Sequence, residues 1–267
     1  IKIALKNNNQ INDTKEIEEF KQKVKNLIYK PMPIDINIAK PVSILKEEAG
    51  YVMHLLSGMR PISLLFPSEV PKSEGEKLEI PDFLEDLFIK DKRAAIYYTY
   101  YCKTGGLRKR LYALSRLAIV LVRLHTRGLI YFDISHNNIF INDEEIPLVY
   151  LIDADNIEYE SINKAYVYTP EYEVPEVLDE NPNSLYSDIY AFGILSYLLI
   201  TTTHPFKGSL NINPDWDSDD EQKEQWKLPW IEDSNDDSNK TNPIKGLRGN
   251  LTITKDLDTL FHTLFEE

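Results

Sequence analysis

The chain has 267 residues, 43 acids against 30 bases, a formal charge of −13 and a single cysteine. That acidity argues against a nucleic-acid binder, which presents a basic face, and Cys102 cannot form an internal disulfide, which points to a reducing cytoplasm. The length suffices for one two-lobed unit or two small domains.

The opening Ile1–Leu5 alternates apolar and polar residues and reads as a strand ending at Lys6, too short an apolar block for a signal peptide. Asn7–Asp13 is a turn-rich connector, and Thr14 is placed to cap a helix whose apolar face carries Ile17, Phe20, Val24, Leu27 and Ile28. Pro31 and Pro33 end that helix. Two β-like pieces follow, Ile36–Ile44 and Gly50–Leu56, with a turn at Lys46–Ala49 between them.

From Pro67 to Lys92 the composition turns to Pro, Ser, Glu and Lys, and an ill-ordered excursion is expected. Leu107–His125 has the clearest helical period, with Leu111, Leu114, Leu117, Ala118, Leu121, Leu124 and His125 on one stripe and Gly128 as its stop. Short apolar strands are expected in Ile130–Ile141 and Val149–Ile152. Ile189–Ile200 is apolar all round, so it reads as a buried central helix. It is the longest apolar run, about half of the ~20 residues that span a bilayer, so no membrane association is expected. Asn211–Asn242 is acidic, with Asp215, Asp217, Asp219, Asp220 and Glu221 crowded together, and reads as a loop pinned by Trp216, Trp226 and Trp230. An amphipathic helix, Leu257–Phe265, closes the chain.

The chemistry concentrates in Asp133-Ile-Ser-His-Asn-Asn138 and, behind an apolar run, Leu151-Ile-Asp153. An acid can orient the proton of a hydroxyl nucleophile, and an amide with a second acid supplies the hard oxygen ligands that magnesium prefers. Asp and Asn also favour turns for purely structural reasons, so the neighbourhood decides. Around these residues stand Ile3-Ala-Leu-Lys6, Leu124-His-Thr-Arg-Gly128, Tyr168-Thr-Pro-Glu-Tyr-Glu-Val-Pro-Glu176, Ser187-Asp-Ile-Tyr-Ala-Phe-Gly193 and His204-Pro-Phe206.

In this order the segments resemble the protein-kinase superfamily over nearly the whole chain. Within it the chain is similar to bacterial eukaryotic-like Ser/Thr kinases found beside von Willebrand factor A-domain and phosphatase proteins in tellurium-resistance-type clusters. Leu151-Ile-Asp153-Ala-Asp155, Leu228-Pro-Trp-Ile231, Ile38-Ala-Lys-Pro41 and Gly50-Tyr-Val-Met53 carry that likeness. The resemblance implies an α+β, bilobal fold. Residues 1–56 would form a small N-lobe lacking its first two strands, and 57–267 a helical C-lobe with an acidic insertion near 211–242.

It also implies a Ser/Thr protein kinase using ATP and Mg²⁺ on a protein substrate, with a cognate phosphatase and a von Willebrand factor A-domain protein as partners. Lys6 would contact the α- and β-phosphates, held by Glu16 or, alternatively, Glu19. Asp133 would position the substrate hydroxyl, Asn138 and Asp153 would bind magnesium, and Thr169 would reach Asp133. Met53 would guard the adenine pocket, with the backbone of His54, Leu55 and Leu56 beside it. His125 reads as a core histidine bracing the loop, and His136 as loop filler.

The sequence departs from the family pattern in four places. It holds no glycine-rich loop and opens inside what would be the third strand, so residues upstream of Ile1 are expected. Phe132 stands where an Arg often precedes the catalytic Asp, and Ser135 where a Lys usually supports the transferring group. Asp155 replaces a glycine, and the chain ends before the Arg that normally pairs with Glu176, so residues downstream are expected as well. A pseudokinase or nucleotide-binding scaffold is the main alternative, and a small-molecule kinase of the aminoglycoside or choline type the other.

Overall fold

The structure, a computed structural model, describes residues 1–6, 9–66, 79–165, 167–210, 229–240, 247 and 252–266. Strand β1 (Lys2–Ile3) pairs antiparallel with β5 (Gly50–Met53), and β5 with β4 (Pro41–Ile44), giving a three-stranded sheet in the order β1-β5-β4. A separate ribbon joins β2 (Leu5–Lys6) to β3 (Asn9–Gln10). Helix α1 (Thr14–Tyr29) packs on this sheet. Its cap is Asp13 rather than Thr14, because the Asp13 carboxylate accepts the N–H groups of Lys15 and Glu16, both at 3.0 Å. Val24 and Leu27 form its buried edge, and it stops at Lys30 because Pro31 follows.

The excursion expected from Pro67 to Lys92 is ordered where it is described. A 3-10 turn at Asp82–Leu84 leads into α2 (Glu85–Lys90) and α3 (Lys92–Lys103), and Asp91 caps α3 through the N–H of Ala94. Buried Leu84, Ala95 and Tyr101 explain the order that composition alone obscured. Residues 67–78 of that excursion lie outside the described residues.

Helix α4 (Gly106–His125) buries Leu114, Leu117, Leu121 and Leu124, whereas Leu111 sits off this face and is 38% exposed. Gly128, at φ 67°, supplies the left-handed turn that ends the segment. Buried Arg110 clamps α4 to its surroundings by donating to the carbonyls of Leu65, Tyr101 and Gly106. Burial draws its guanidinium down to about 10.

After α4 come β7 (Leu129–Ile130), β8 (Ile139–Ile141), β9 (Val149–Leu151) and β10 (Glu158–Tyr159). β6 (Arg60–Pro61), β8 and β9 form one sheet, and β10 pairs with β7. The short helix α5 (Pro175–Leu178) precedes α6 (Leu185–Thr201), the buried centre that its sequence suggested, with Ile194, Leu195, Tyr197, Leu199 and Ile200 inaccessible or nearly so. No helix among the described residues is long and apolar enough to cross a membrane.

The last helix, α7 (Lys255–Glu266), closes on α6 through Phe261 and Phe265. Of the acidic segment 211–242, the part from 229 to 240 is described, and it is more than a loop pinned at one point. Trp230 is 1% exposed, lies edge-on to Tyr197, and donates its indole N–H to Glu266 at 3.0 Å. Asn239 is fully buried and donates to the carbonyls of Phe206 and Pro229. Trp216 and Trp226 lie outside the described residues. Trp230→Ala should lower unfolding stability by about 3–5 kcal/mol, read by urea titration, because the surrounding rings cannot fill the space.

Candidate active site

The loop from Tyr131 to Asn138 bridges β7 and β8, and its shape is set from below. Asp188, in the first turn of α6 and 1% exposed, accepts the N–H of Tyr131 at 2.8 Å and that of Phe132 at 2.9 Å, one on each carboxylate oxygen. His125, at the end of α4, reaches the same carboxylate at 2.9 Å, the bracing role its sequence position suggested. These bonds hold Phe132 at φ 76°, a conformation that costs an L-residue about 1–2 kcal/mol when unsupported.

With the loop so fixed, Asp133 meets two partners. Asn138 donates its amide N–H groups to the Asp133 carboxylate at 2.7 Å and to the Asp133 carbonyl at 2.9 Å. The Thr169 hydroxyl donates to the other Asp133 oxygen. The Asn138 backbone carbonyl accepts the N–H of Ile152 at 2.9 Å, and Ile139 pairs with Leu151 across β8 and β9, which brings the start of the Asp153 turn alongside Asn138. Asp153 itself adopts φ 55°.

Opposite stands the ammonium of Lys2, 2.7 Å from Asp153 Oδ1 and 3.3 Å from Asp155 Oδ2. The expected lysine, Lys6, lies in β2, outside the β1-β5-β4 sheet, and its side chain lies outside the described residues. Burial draws the Lys2 ammonium down, while its hydrogen bond to Asp153 and the charges of both carboxylates outweigh this and leave it above the ordinary lysine value. Lys2 is brought there by its pairing with Tyr51 across β1 and β5.

The remaining expected residues are placed as follows. Glu16 lies half-buried in the first turn of α1, and Glu19 is an exposed partner of Lys15 at 3.8 Å. Met53 ends β5 opposite Pro41, half-buried, with His54 and Leu55 exposed beyond it. Ser135 is fully buried and its hydroxyl has no hydrogen-bond partner among the described residues, so the side chain faces the interior instead of the cleft. His136 packs against Phe66 and meets the Tyr172 hydroxyl at 2.8 Å. Sequence reading missed Lys2, Tyr51 and the placement of Asp188 under the loop.

The donor set fits a magnesium ion. Asn138 has its amide nitrogen committed to Asp133, which presents the carbonyl oxygen as a ligand, and the Asp153 side chain is 40% exposed. Two carboxylates, Asp153 and Asp155, lie against one ammonium, an excess of negative charge that a divalent cation would offset.

Residues 108–260 match the protein kinase domain family. The chain belongs to that family. The kinase domain is similar to ribosomal protein S6 kinase alpha-3 of Mus musculus, 30% identical over 141 residues, covering 51% of this chain and 18% of the relative. It is also similar to death-associated protein kinase 2 of Homo sapiens, 32% identical over 94 residues, covering 32% of this chain and 24% of the relative. The matched stretches thus span under a quarter of these relatives' lengths.

Four residues after Thr169, Glu173 is 9% exposed with one oxygen unpartnered among the described residues. Burial pushes its carboxyl up to about 7. The folded state therefore holds a proton that the unfolded chain releases near pH 4.5, and stability is lost as pH rises toward 7. Glu173→Gln should leave stability nearly unchanged at pH 4 and raise it by roughly 2–3 kcal/mol at pH 8, read by urea titration at both values. Buried His204, drawn down to about 4 by burial, loses stability in the opposite direction in both proteins and cancels from the comparison. Asp188→Asn turns an N–H toward a backbone donor and should cost about 1–3 kcal/mol in the same assay.

Proposed function

We propose that this kinase domain transfers the γ-phosphoryl group of ATP to Ser or Thr hydroxyls of a protein substrate. The observation that carries this reading is the Asp133 carboxylate, held between the Asn138 amide and the Thr169 hydroxyl at an open edge of the site. A carboxylate so fixed can accept a hydrogen bond from an incoming hydroxyl and aim its oxygen in line with the group being transferred. Asn138 and Asp153 would hold Mg²⁺, which when bound neutralises charge on the phosphate oxygens.

Lys2 takes the role that the sequence assigned to Lys6, as a compact positive charge for the α- and β-phosphates. Met53 and the backbone of His54 and Leu55 would border the adenine. The buried Ser135 contributes no charge, so cation and lysine carry the electrostatic stabilisation between them. Leu151-Ile-Asp153-Ala-Asp155 and Leu228-Pro-Trp-Ile231 support placing the chain with the bacterial group it resembles, together with that group's phosphatase and von Willebrand factor A-domain partners.

Radiolabelled ATP and a generic basic protein substrate test the proposal. Asp133→Asn should reduce label transfer by about 10²–10⁴-fold, and Asp153→Ala should abolish the magnesium dependence of nucleotide binding. Equal label with wild type and Asp133→Asn would end the catalytic reading.

A further inference from the structure

Asp155 occupies a 3-10 turn, Ala154–Asn156, just beyond Asp153. Both of its oxygens are engaged. Oδ2 accepts from the Lys2 ammonium at 3.3 Å, and Oδ1 accepts from the Tyr51 hydroxyl at 2.8 Å. Tyr51 is 1% exposed, pairs with Lys2 across β1 and β5, and has its ring 5.8 Å from the Lys2 ammonium. The other side of the tyrosine reaches helix α1, where Phe20 stacks on it at 6.5 Å with the planes 11° apart. Burial and then the Asp155 charge keep the Tyr51 phenol far above its usual value, so it remains a donor.

A lysine ammonium is a point charge on four rotatable bonds, and one carboxylate does not fix its position. Asp153 has a second demand on it as a metal ligand, whereas Asp155 has its free oxygen closed off by Tyr51 and is held for Lys2. We infer that Asp155 is the positioning residue for Lys2, and that Phe20 and Tyr51 tie it to helix α1 through ring stacking and one hydroxyl. The inference rests on Lys2 as the phosphate-contacting lysine. It assigns to the loop after β9 the steadying carboxylate that the family resemblance placed on the helix.

The test uses the full-length protein, with dissociation constants for ATP measured with and without magnesium, and KM and kcat measured separately. Asp155→Asn should raise the metal-free ATP constant and the KM for ATP about tenfold, with kcat changed less. Tyr51→Phe keeps the stacking and should raise both about threefold. In a Lys2→Ala background Asp155→Asn should add nothing further. Additive losses in the double variant, or a loss seen only with magnesium, would overturn the positioning role, the second by making Asp155 a metal ligand. Failure of the wild type to bind ATP would instead overturn the proposed function. In that case a double-mutant cycle of Lys2→Ala and Asp155→Asn in urea, with no nucleotide, still reads the tie, and zero coupling there would overturn it.

Discussion

The candidate site depends on one buried carboxylate. Asp188 receives two consecutive backbone N–H groups and one histidine, and no solvent reaches it. Hydrogen bonds from these groups replace the water it has lost. Its effect is geometric. It keeps Phe132 in a left-handed conformation, and that bend turns the next side chain, Asp133, outward while its neighbours Ile134 and Ser135 turn inward. Helix α6 can carry such a charge at its start because its N-terminal N–H groups favour negative charge, and because the rest of the helix is anchored by apolar packing.

The opposite wall of the site is built on a different principle. Lys2 and Tyr51 face each other on neighbouring strands, so the β1–β5 pairing sets their separation before any charge acts. The carboxylates of Asp153 and Asp155 then hold an ammonium already brought near. Exposed ion pairs contribute little to stability, and these side chains are 23–40% exposed. Their value is in placement, and the sheet supplies the stability that makes the placement hold.

Much of this was legible in the sequence. The Asp133–Asn138 spacing, Asp153 behind its apolar run, Thr169 and the bracing His125 could be named because each sits in a segment whose local pattern dictates its element. The helical period of α4 and the all-round apolarity of α6 belong to the same class. What resisted reading depended on long-range pairing. Lys2 reaches the site through the contact of β1 with β5, a pairing distant in sequence. Ser135 stands where the family pattern has a lysine, yet the bend at Phe132 turns it into the core. The helices after Asp82 were hidden because Leu84 and Ala95 are few, and their burial is set by partners distant in sequence.

Glu176 carries the same logic to the far end of the catalytic segment. Here it accepts hydroxyl hydrogens from Ser187 at 2.6 Å and Ser184 at 3.2 Å. Those serines are also the capping box of α6, since Ser187 accepts the N–H of Ser184 and Ser184 that of Tyr186. Two hydroxyls can satisfy one oxygen of a carboxylate without the desolvation cost of burying a cation beside it. The consequence is that the first turn of α6 holds both ends of the active-site chain, Tyr131 and Phe132 through Asp188 and Glu176 through its capping serines. A shift of that turn would move Asp133 and the segment around Glu176 together, so their spacing is preserved by one rigid element.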